Sequence, residues 1–286
     1  MGKDTFFCKK KTIRFRGEIK EVEQPWVMGI LNITPDSFYD GGHFNSEKEI
    51  VIQVQKMLSE GAAIIDVGAV STRPGSDSVS LEEEKKRLKP VLKVLAEKFP
   101  GSWFSIDTFR ADIAKMAVEE FGFYMINDIS SGRFDERMFD CVEKLNVPYV
   151  IMHMKGEPEN MQKSPQYENV TNEIIQYFSG IVKELNGRGV HDIIIDPGFG
   201  FGKTLKHNYQ LLKELNLFEM LSLPVLVGVS RKAMIQKAID GTPGESLNGT
   251  TVANTIALIN GADILRVHDV KQAMEAIKIM SYYKTS

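Results

Sequence analysis

Cysteine is nearly absent: Cys8 and Cys141 are the two in 286 residues, and they lie far apart. So sparse a pair argues against a disulfide framework or a cysteine-held metal cluster and points to a reducing cytoplasm. Cys141 falls in an apolar helical pattern and reads as a small core residue. The five histidines, His43, His153, His191, His207 and His268, lack the spacing of a metal site. His191 and His207 read as surface residues. Long apolar runs are missing as well. No stretch reaches the roughly 20 residues that a membrane-spanning helix needs. The N-terminus has no apolar signal core, and Phe6 breaks the myristoylation pattern after Gly2, so no membrane association is expected. Positive charge is not in excess: a net charge of −3 provides no basic face for nucleic acid. Internal repeats and an interdomain linker are also lacking.

What remains is an ordinary globular composition, 43% hydrophobic and 26% charged, of a length that suits one large barrel or two modest domains. Residues 1–25 are basic and then polar. Within them Ile13, Phe15, Ile19 and Val22 flank Gly17, which predicts a short hairpin extension. From residue 26 to 286 the chain reads as a single catalytic domain in which short apolar runs alternate with helix-period segments. The runs are Trp26–Ile33, Ala63–Val67, Trp103–Ile106, Tyr124–Ile126, Tyr149–Met152, Ile193–Ile195, Val225–Val229 and Ile264–Val267. Most are rich in Val and Ile, as parallel strands buried on both faces should be. Between them, Ser46 with Glu49 and Ser80 with Glu83 have the spacing of helix-starting capping boxes. Further helices are expected over 110–121, 135–145, 169–188, 204–218, 248–260 and 270–283. Eight strands, each followed by a helix, predict an α/β fold of the closed (β/α)8 TIM-barrel type. An open doubly wound sheet is the alternative, but no Gly-rich dinucleotide fingerprint follows the first strand.

Polar residues gather where these strands end. They are Asn32, Asp66, Asp107, Asn127 with Asp128, His153, Asp196, Ser230 to Lys232, and Arg266 to Asp269. In a barrel all such ends meet at one mouth, where enzymes of this architecture place their sites. Any single Asp there is more simply a helix cap. Amides, carboxylates, a guanidinium and an ammonium around one rim are not explained by capping. Asp66 reads as an orienter of its neighbours and stays outside the candidate site. Two long connections, Thr34–Phe44 and Ser71–Ser78, exceed the usual βα loop of about two to six residues and suggest functional lids. Arg73 within the second has the planar fork that matches phosphate oxygens, against a plain reading as a solvated loop arginine.

PGFGFGKT, Pro197 to Thr204, imitates a phosphate-binding P-loop. The pattern requires glycine where Pro197 stands, and proline has no N–H with which to cradle a phosphate. Its glycines read better as room for a flat ligand beside Asp196. A hard cation such as Mg²⁺ needs an oxygen or two from the protein, and Asn32, Asp36 and Asp40 are the candidates.

GILNITPDSFYDGG, DVGAVSTRPGS, SIDTFR, NDIS, MHMKGEPENMQ, IDPGFGFGK, VGVSRK and RVHDV, in this order from residue 29 to 270, resemble the successive motifs of the dihydropteroate synthase family. The resemblance implies condensation of (7,8-dihydropterin-6-yl)methyl diphosphate with 4-aminobenzoate, releasing diphosphate and giving 7,8-dihydropteroate for folate synthesis. It also implies Mg²⁺ as cofactor and a homodimer formed through helices on one side of the barrel. By motif, Asn32 corresponds to the Mg²⁺ ligand and Thr72 to a diphosphate-side contact, with Arg73 as the anion clamp beside it. Asp107, Asn127, Asp196 and Lys232 correspond to contacts with the pterin edge, and Arg266 with His268 to the pair near the ring and diphosphate. Asp107 and Arg266 are the expected catalytic residues, and Phe38 and Pro74 the walls of the aminobenzoate ring. The residue types suit this chemistry. A pterin edge presents an amino group and a ring N–H together, which one carboxylate accepts, while an amide both donates and accepts and an ammonium serves ring acceptors. Two departures stand out: Ala233 where many members have Ser, and Val70 where Glu is common. A pterin-binding methyltransferase barrel is an alternative that needs the pterin edge but not the diphosphate loops. A catalytically silent pterin-binding protein is another, which loss of Asn32, Arg73 or Lys232 would favour.

Overall fold

The computed structural model describes residues 11–33, 43–70, 79–156, 161 and 165–286. Its first element is an antiparallel hairpin of β1 (Thr12–Phe15) and β2 (Glu18–Glu21). Arg16 and Gly17 join them with φ of 51° and 80°, the mirror-image two-residue turn whose twist matches paired strands.

Eight parallel strands follow: β3 (Trp26–Asn32), β4 (Ile64–Gly68), β5 (Trp103–Asp107), β6 (Met125–Asp128), β7 (Tyr149–Met152), β8 (Ile193–Asp196), β9 (Leu226–Val227) and β10 (Ile264–Val267). They are ordered β8-β7-β6-β5-β4-β3-β10-β9. A bridge between Ile195 and Val225 brings the two edges together into a nearly closed barrel. Outside it run α1 (His43–Ser59), α2 (Leu81–Lys98), α3 (Ala111–Phe121), α4 (Met138–Leu145), α5 (Val170–Gly187), α6 (Leu205–Lys213), α7 (Ala233–Ala238), α8 (Leu247–Ile259) and α9 (Val270–Thr285). The architecture is the expected TIM barrel with an N-terminal hairpin.

The two-residue period of a strand divides each one between two environments. Val27 and Leu31 of β3, Ile65 and Val67 of β4, and Ile151 of β7 face outward into the large core beneath the helices. Met28, Ile64, Trp103, Met125, Val150, Ile194, Leu226 and Ile264 face inward and fill the lower end of the barrel. Ile13 of the hairpin completes this layer at 1% exposure, with Phe15 stacked on Trp103 at 4.3 Å between ring centroids. Ion pairs from Lys11 to Asp263 (2.7 Å) and Arg14 to Asp192 (3.3 Å) fasten the hairpin there. The lower end is thereby plugged with apolar side chains, and polar groups on the inner face remain toward the opposite end.

Three local expectations differ. The first helix begins at His43, not at a Ser46 cap, because a capping preference of about 1 kcal/mol yields to the buried stripe of Ile50, Val54 and Met57. Segment 204–218 divides into α6 and a 3-10 helix, Leu215–Leu221. The three-residue spacing of buried Leu215 and Phe218 suits the tighter helix. The seventh strand is followed by two helices, the short α7 and then α8. Ser80 caps α2 as its spacing predicts, accepting from the Glu83 N–H at 3.2 Å.

Candidate functional site at the barrel mouth

Stepping along each strand by two from the apolar inner layer gives the next layer up: Ile30, Asp66, Ser105, Asn127, Met152, Asp196 and Arg266, with Gly228 just beyond β9. One further step reaches Asn32, Gly68 and Asp107. Strand geometry therefore delivers a polar set to one enclosed space above an apolar floor.

Arg266 is its centre. Its Nε donates to Asp66 Oδ2 at 2.7 Å and its Nη2 to Asp107 Oδ2 at 2.6 Å. Asn127 Nδ2 also donates to Asp66 Oδ2, at 2.8 Å. Gly68 leaves room for this arrangement, since a Cβ there would lie 3.1 Å from Asp107 Cβ. Burial is the largest influence on Asp107 and pushes its carboxyl up to about 7, with the Arg266 charge opposing and the Asp66 carboxylate adding. Across the space stand Asp196 and Lys232. Asp196 Oδ1 accepts from the Gly198 N–H at 2.8 Å, and burial raises its carboxyl while Lys232 opposes. Burial lowers the Lys232 ammonium to about 8, with Asp196 opposing. Its Nζ donates to the Phe199 carbonyl at 2.6 Å and lies 4.7 Å from the centre of the Phe201 ring. Gly228 borders the middle of the space, where a Cβ would make ordinary contact with Lys232 Nζ at 3.8 Å, Arg266 Cβ at 3.9 Å and Asp196 Oδ2 at 4.0 Å. Ile129, Met152, Met154 and Met161, packed with Phe109 and Phe201, make an apolar wall. The result is a slot with hydrogen-bonding edges and apolar sides, suited to a flat heteroaromatic ring.

Asn32 is exposed at the end of β3. Half-buried His268 follows β10, its N–H donating to Ser230 Oγ at 3.2 Å. Thr72, Arg73, Phe38, Pro74, Asp36 and Asp40 lie outside the described residues. No group of three or more His, Cys, Asp or Glu side chains among the described residues is placed to hold a metal ion.

Residues 28–268 match the family model described as pterin binding enzyme. The chain is 41% identical to the dihydropteroate synthase of Escherichia coli strain K12, over 93% of this chain and 94% of that one. It is 41% identical to the Haemophilus influenzae dihydropteroate synthase, over 91% and 94%. Among solved structures it resembles Yersinia pestis dihydropteroate synthase in a sulfonamide drug complex, with TM-score 0.89, 40% identity and 96% and 100% coverage. It also resembles the Xanthomonas albilineans dihydropteroate synthase with 4-aminobenzoic acid, with TM-score 0.88, 34% identity and 97% and 100% coverage.

The chain belongs to the pterin-binding enzyme family.

Several residues at the ends of the family's barrel strands serve the frame and not the slot. Asp128 is fully buried, and accepts from Tyr149 Oη, Ser130 N, Ser130 Oγ and Gly132 N, each at 2.7 Å. Arg231 turns to Asp269 in a two-pronged ion pair of 2.7 and 2.9 Å. His153 is buried against Lys203, whose Nζ lies 3.1 Å from its Nδ1 and donates to the carbonyls of Gly198 (2.8 Å) and Phe201 (3.1 Å). The P-loop imitation ends here: its lysine points inward and binds backbone carbonyls. Its glycines also differ from expectation, because a Cβ on Gly198 (φ 73°) would lie 1.9 Å from the His153 carbonyl oxygen and one on Gly202 (φ 63°) 2.2 Å from that of Lys155. They accommodate the neighbouring loop. Sequence reading missed this buried cation, which only the meeting of two loops reveals. Asp66, read from the sequence as an orienter of its neighbours, reaches both Arg266 and Asn127.

Burial first, then the Lys203 charge, lowers the His153 imidazole from 6.5 to about 2. An unfolded chain binds a proton there below 6.5 while the folded chain does not, so this residue makes stability fall with falling pH. His153→Gln should therefore lose less stability than the parent between pH 7 and pH 5, by roughly 1 to 2 kcal/mol. Urea unfolding at both pH values checks this, and equal losses would mean that His153 accepts a proton in the folded barrel.

Proposed function

We infer that this chain condenses (7,8-dihydropterin-6-yl)methyl diphosphate with 4-aminobenzoate to form 7,8-dihydropteroate and diphosphate, the reaction of dihydropteroate synthase. Like the Yersinia relative it is a sulfonamide target. The observation that carries the reading is the slot with Asp196 and Lys232 on one side and Asn127, Asp107 and Arg266 on the other. Asp196 accepts from the pterin amino group and adjacent ring N–H, Lys232 donates to a ring acceptor, and Asn127 supplies both a donor and an acceptor. Asp107 lies toward the mouth, where the substrate methylene would sit. Arg266 has spent two of its donors on carboxylates and offers the remaining ones, with His268 and with Thr72 and Arg73 of the second loop, to the diphosphate. Phe38 and Pro74 wall the aminobenzoate ring.

Mg²⁺ suits what is present at Asn32: one exposed neutral oxygen at a strand end, which with diphosphate oxygens makes the sparse protein share that this ion accepts. Asn32, with Asp36 or Asp40, would hold it, and bound there it would neutralise charge on the departing diphosphate.

The one assay that tests the function is incubation with both substrates and Mg²⁺, followed for dihydropteroate and diphosphate together. Asp196→Asn should abolish pterin binding and leave folding intact, because the amide presents a donor where an acceptor is required. Normal pterin affinity in that variant removes Asp196 from the slot.

Assembly as a homodimer is supported by α8 and α9, which pack on each other. Ala253, Ala257 and Leu258 of α8 are buried, while Val252, Ile256 and Ile259 are exposed, as are Ile279, Tyr282 and Tyr283 of α9. A helix apolar on both sides is characteristic of one covered on both sides. Sedimentation should give twice the chain mass, and Val252→Glu with Ile256→Glu should halve it; a monomeric parent chain sinks the idea. A cytoplasmic setting suits the free thiol of Cys141, whose pKa burial raises to about 11.

Nucleophilic catalysis by a serine or cysteine is not required. His153 is committed to Lys203, and a neutral aniline nitrogen attacks at neutral pH without a base. The difficult event is C–O cleavage, in which the bonding electron pair leaves with diphosphate. The donors of Arg266 stabilise that charge as it develops, while the Asp107 carboxylate faces the positive methylene conjugated to the pterin. The aniline nitrogen then forms the C–N bond and gives up its proton. This dissociative order predicts diphosphate release, or scrambling of its bridging oxygen, when the pterin substrate and Mg²⁺ are bound without aminobenzoate. Strict dependence of both on aminobenzoate, with a steep response of rate to amine nucleophilicity, would indicate direct displacement.

A further inference from the structure

Asp66 is fully buried on β4, in the layer beneath Asp107. One of its oxygens, Oδ2, accepts from both Arg266 Nε and Asn127 Nδ2. The other, Oδ1, is buried with no hydrogen-bond partner among the described residues, as is Oγ of Ser105, its neighbour in the strand register. The arrangement constrains two groups at once. An asparagine amide has a carbonyl at one end and an NH₂ at the other, and the two are alike in shape. A carboxylate can accept and not donate, so Nδ2 of Asn127 must face Asp66 and its Oδ1 must turn away. Arg266 is likewise limited: with Nε on Asp66 and Nη2 on Asp107, its planar fork cannot rotate without breaking one bond or both.

We propose that Asp66 is a positioning residue that sets the polarity of the pterin slot, holding Asn127 in one amide orientation and Arg266 in one plane without touching the pterin. This rests on the reading of the slot as a pterin site. The carboxylate makes the slot selective through its neighbours: with Asn127 pinned, the slot meets an acceptor and one remaining N–H at that position, and a ring with the reversed pattern is rejected.

Asp66→Asn keeps the size and removes the asymmetry, since the new amide can donate as well as accept. The KM for the pterin substrate should rise about tenfold to a hundredfold. The KM for 4-aminobenzoate at saturating pterin substrate should stay within about twofold. Exchanging the partners, Asp66→Asn with Asn127→Asp, restores a carboxylate–amide bond that again turns an acceptor away from position 66, though without the Asn127 N–H, and should recover part of the lost pterin affinity. A merely structural role would show as lost stability in urea with the pterin KM unmoved. In the parent chain the side-chain N–H groups of Asn127 should exchange slowly with solvent in isotope-labelled amide spectra, a readout that stands even if the variants do not fold. An unchanged pterin KM in folded Asp66→Asn, additive losses in the exchange variant, or a rapidly exchanging Asn127 amide would each overturn the proposal. A parent chain that makes no dihydropteroate in the two-substrate assay would overturn the reading of the slot instead, leaving the amide measurement to decide about Asp66.

Discussion

The barrel must keep a guanidinium in an interior that also holds a complete apolar layer. An ion removed from water loses several kcal/mol of solvation even after the protein relaxes, and Arg266 recovers it through Asp66 and Asp107. That recovery fixes much else. Asp107 can come close because position 68 is glycine, Asn127 is drawn to the same carboxylate as Arg266, and Lys232 stands beside Asp196 on the other side of the slot. The inner face thus carries three carboxylates, Asp66, Asp107 and Asp196, against two cations. Burial raises the Asp107 carboxyl to about 7, and the neighbouring Asp66 carboxylate adds to the rise while Arg266 opposes it.

A second buried cation stands behind the first set and obeys the same constraint by other means. Lys203 has carbonyl oxygens and a neutral imidazole for partners, and burial lowers its pKa strongly despite the nearby Asp196 charge. It ties the loop after β8 to the loop after β7. The loop after β8 also supplies the Phe199 carbonyl that receives Lys232. The ammonium that faces the slot is therefore aimed by a backbone that another ammonium holds in place.

The alternation of runs and helices made the barrel legible, because parallel strands covered on both faces leave Val- and Ile-rich runs of fixed length. The hairpin was legible for a similar reason, with Gly17 between two short β-patterns. The site was legible as a ring of residue types at strand ends, but its depth was not. Asp66 and Arg266 sit one layer below Asn32 and Asp107, and the sequence places them at the rim with the others because run ends blur by a residue or two. Counting by two from the apolar inner layer would have separated the layers, had the inner set been known. The role of Lys203 was out of reach on principle: a lysine after a glycine-rich loop reads the same whether it faces phosphate or carbonyls, and the close approach of Gly198 to His153 joins strands distant in the chain. The short α7, 6 residues, and the 3-10 helix after α6, 7 residues, escaped because both are shorter than the roughly 11 residues over which a helical period can be read.

The division between floor and loops has a physical logic for a two-substrate condensation. Recognition of a flat ring by paired donors and acceptors tolerates little error, and strands of a closed sheet hold side chains more closely than loops do. The groups proposed to read the pterin accordingly come from strands: Asn127 from β6, Asp196 from β8 and Arg266 from β10. Diphosphate is charged, rotatable and destined to leave, so its partners need strength of attraction more than fixed angles. Arg266 belongs to both parts. Its Nε edge is spent inside the floor on Asp66, and in the proposed reading its remaining donors serve the leaving group. A side chain so divided lets the rigid part of the site place charge where the bond breaks, because the guanidinium cannot turn toward the anion without leaving a buried carboxylate unpaired.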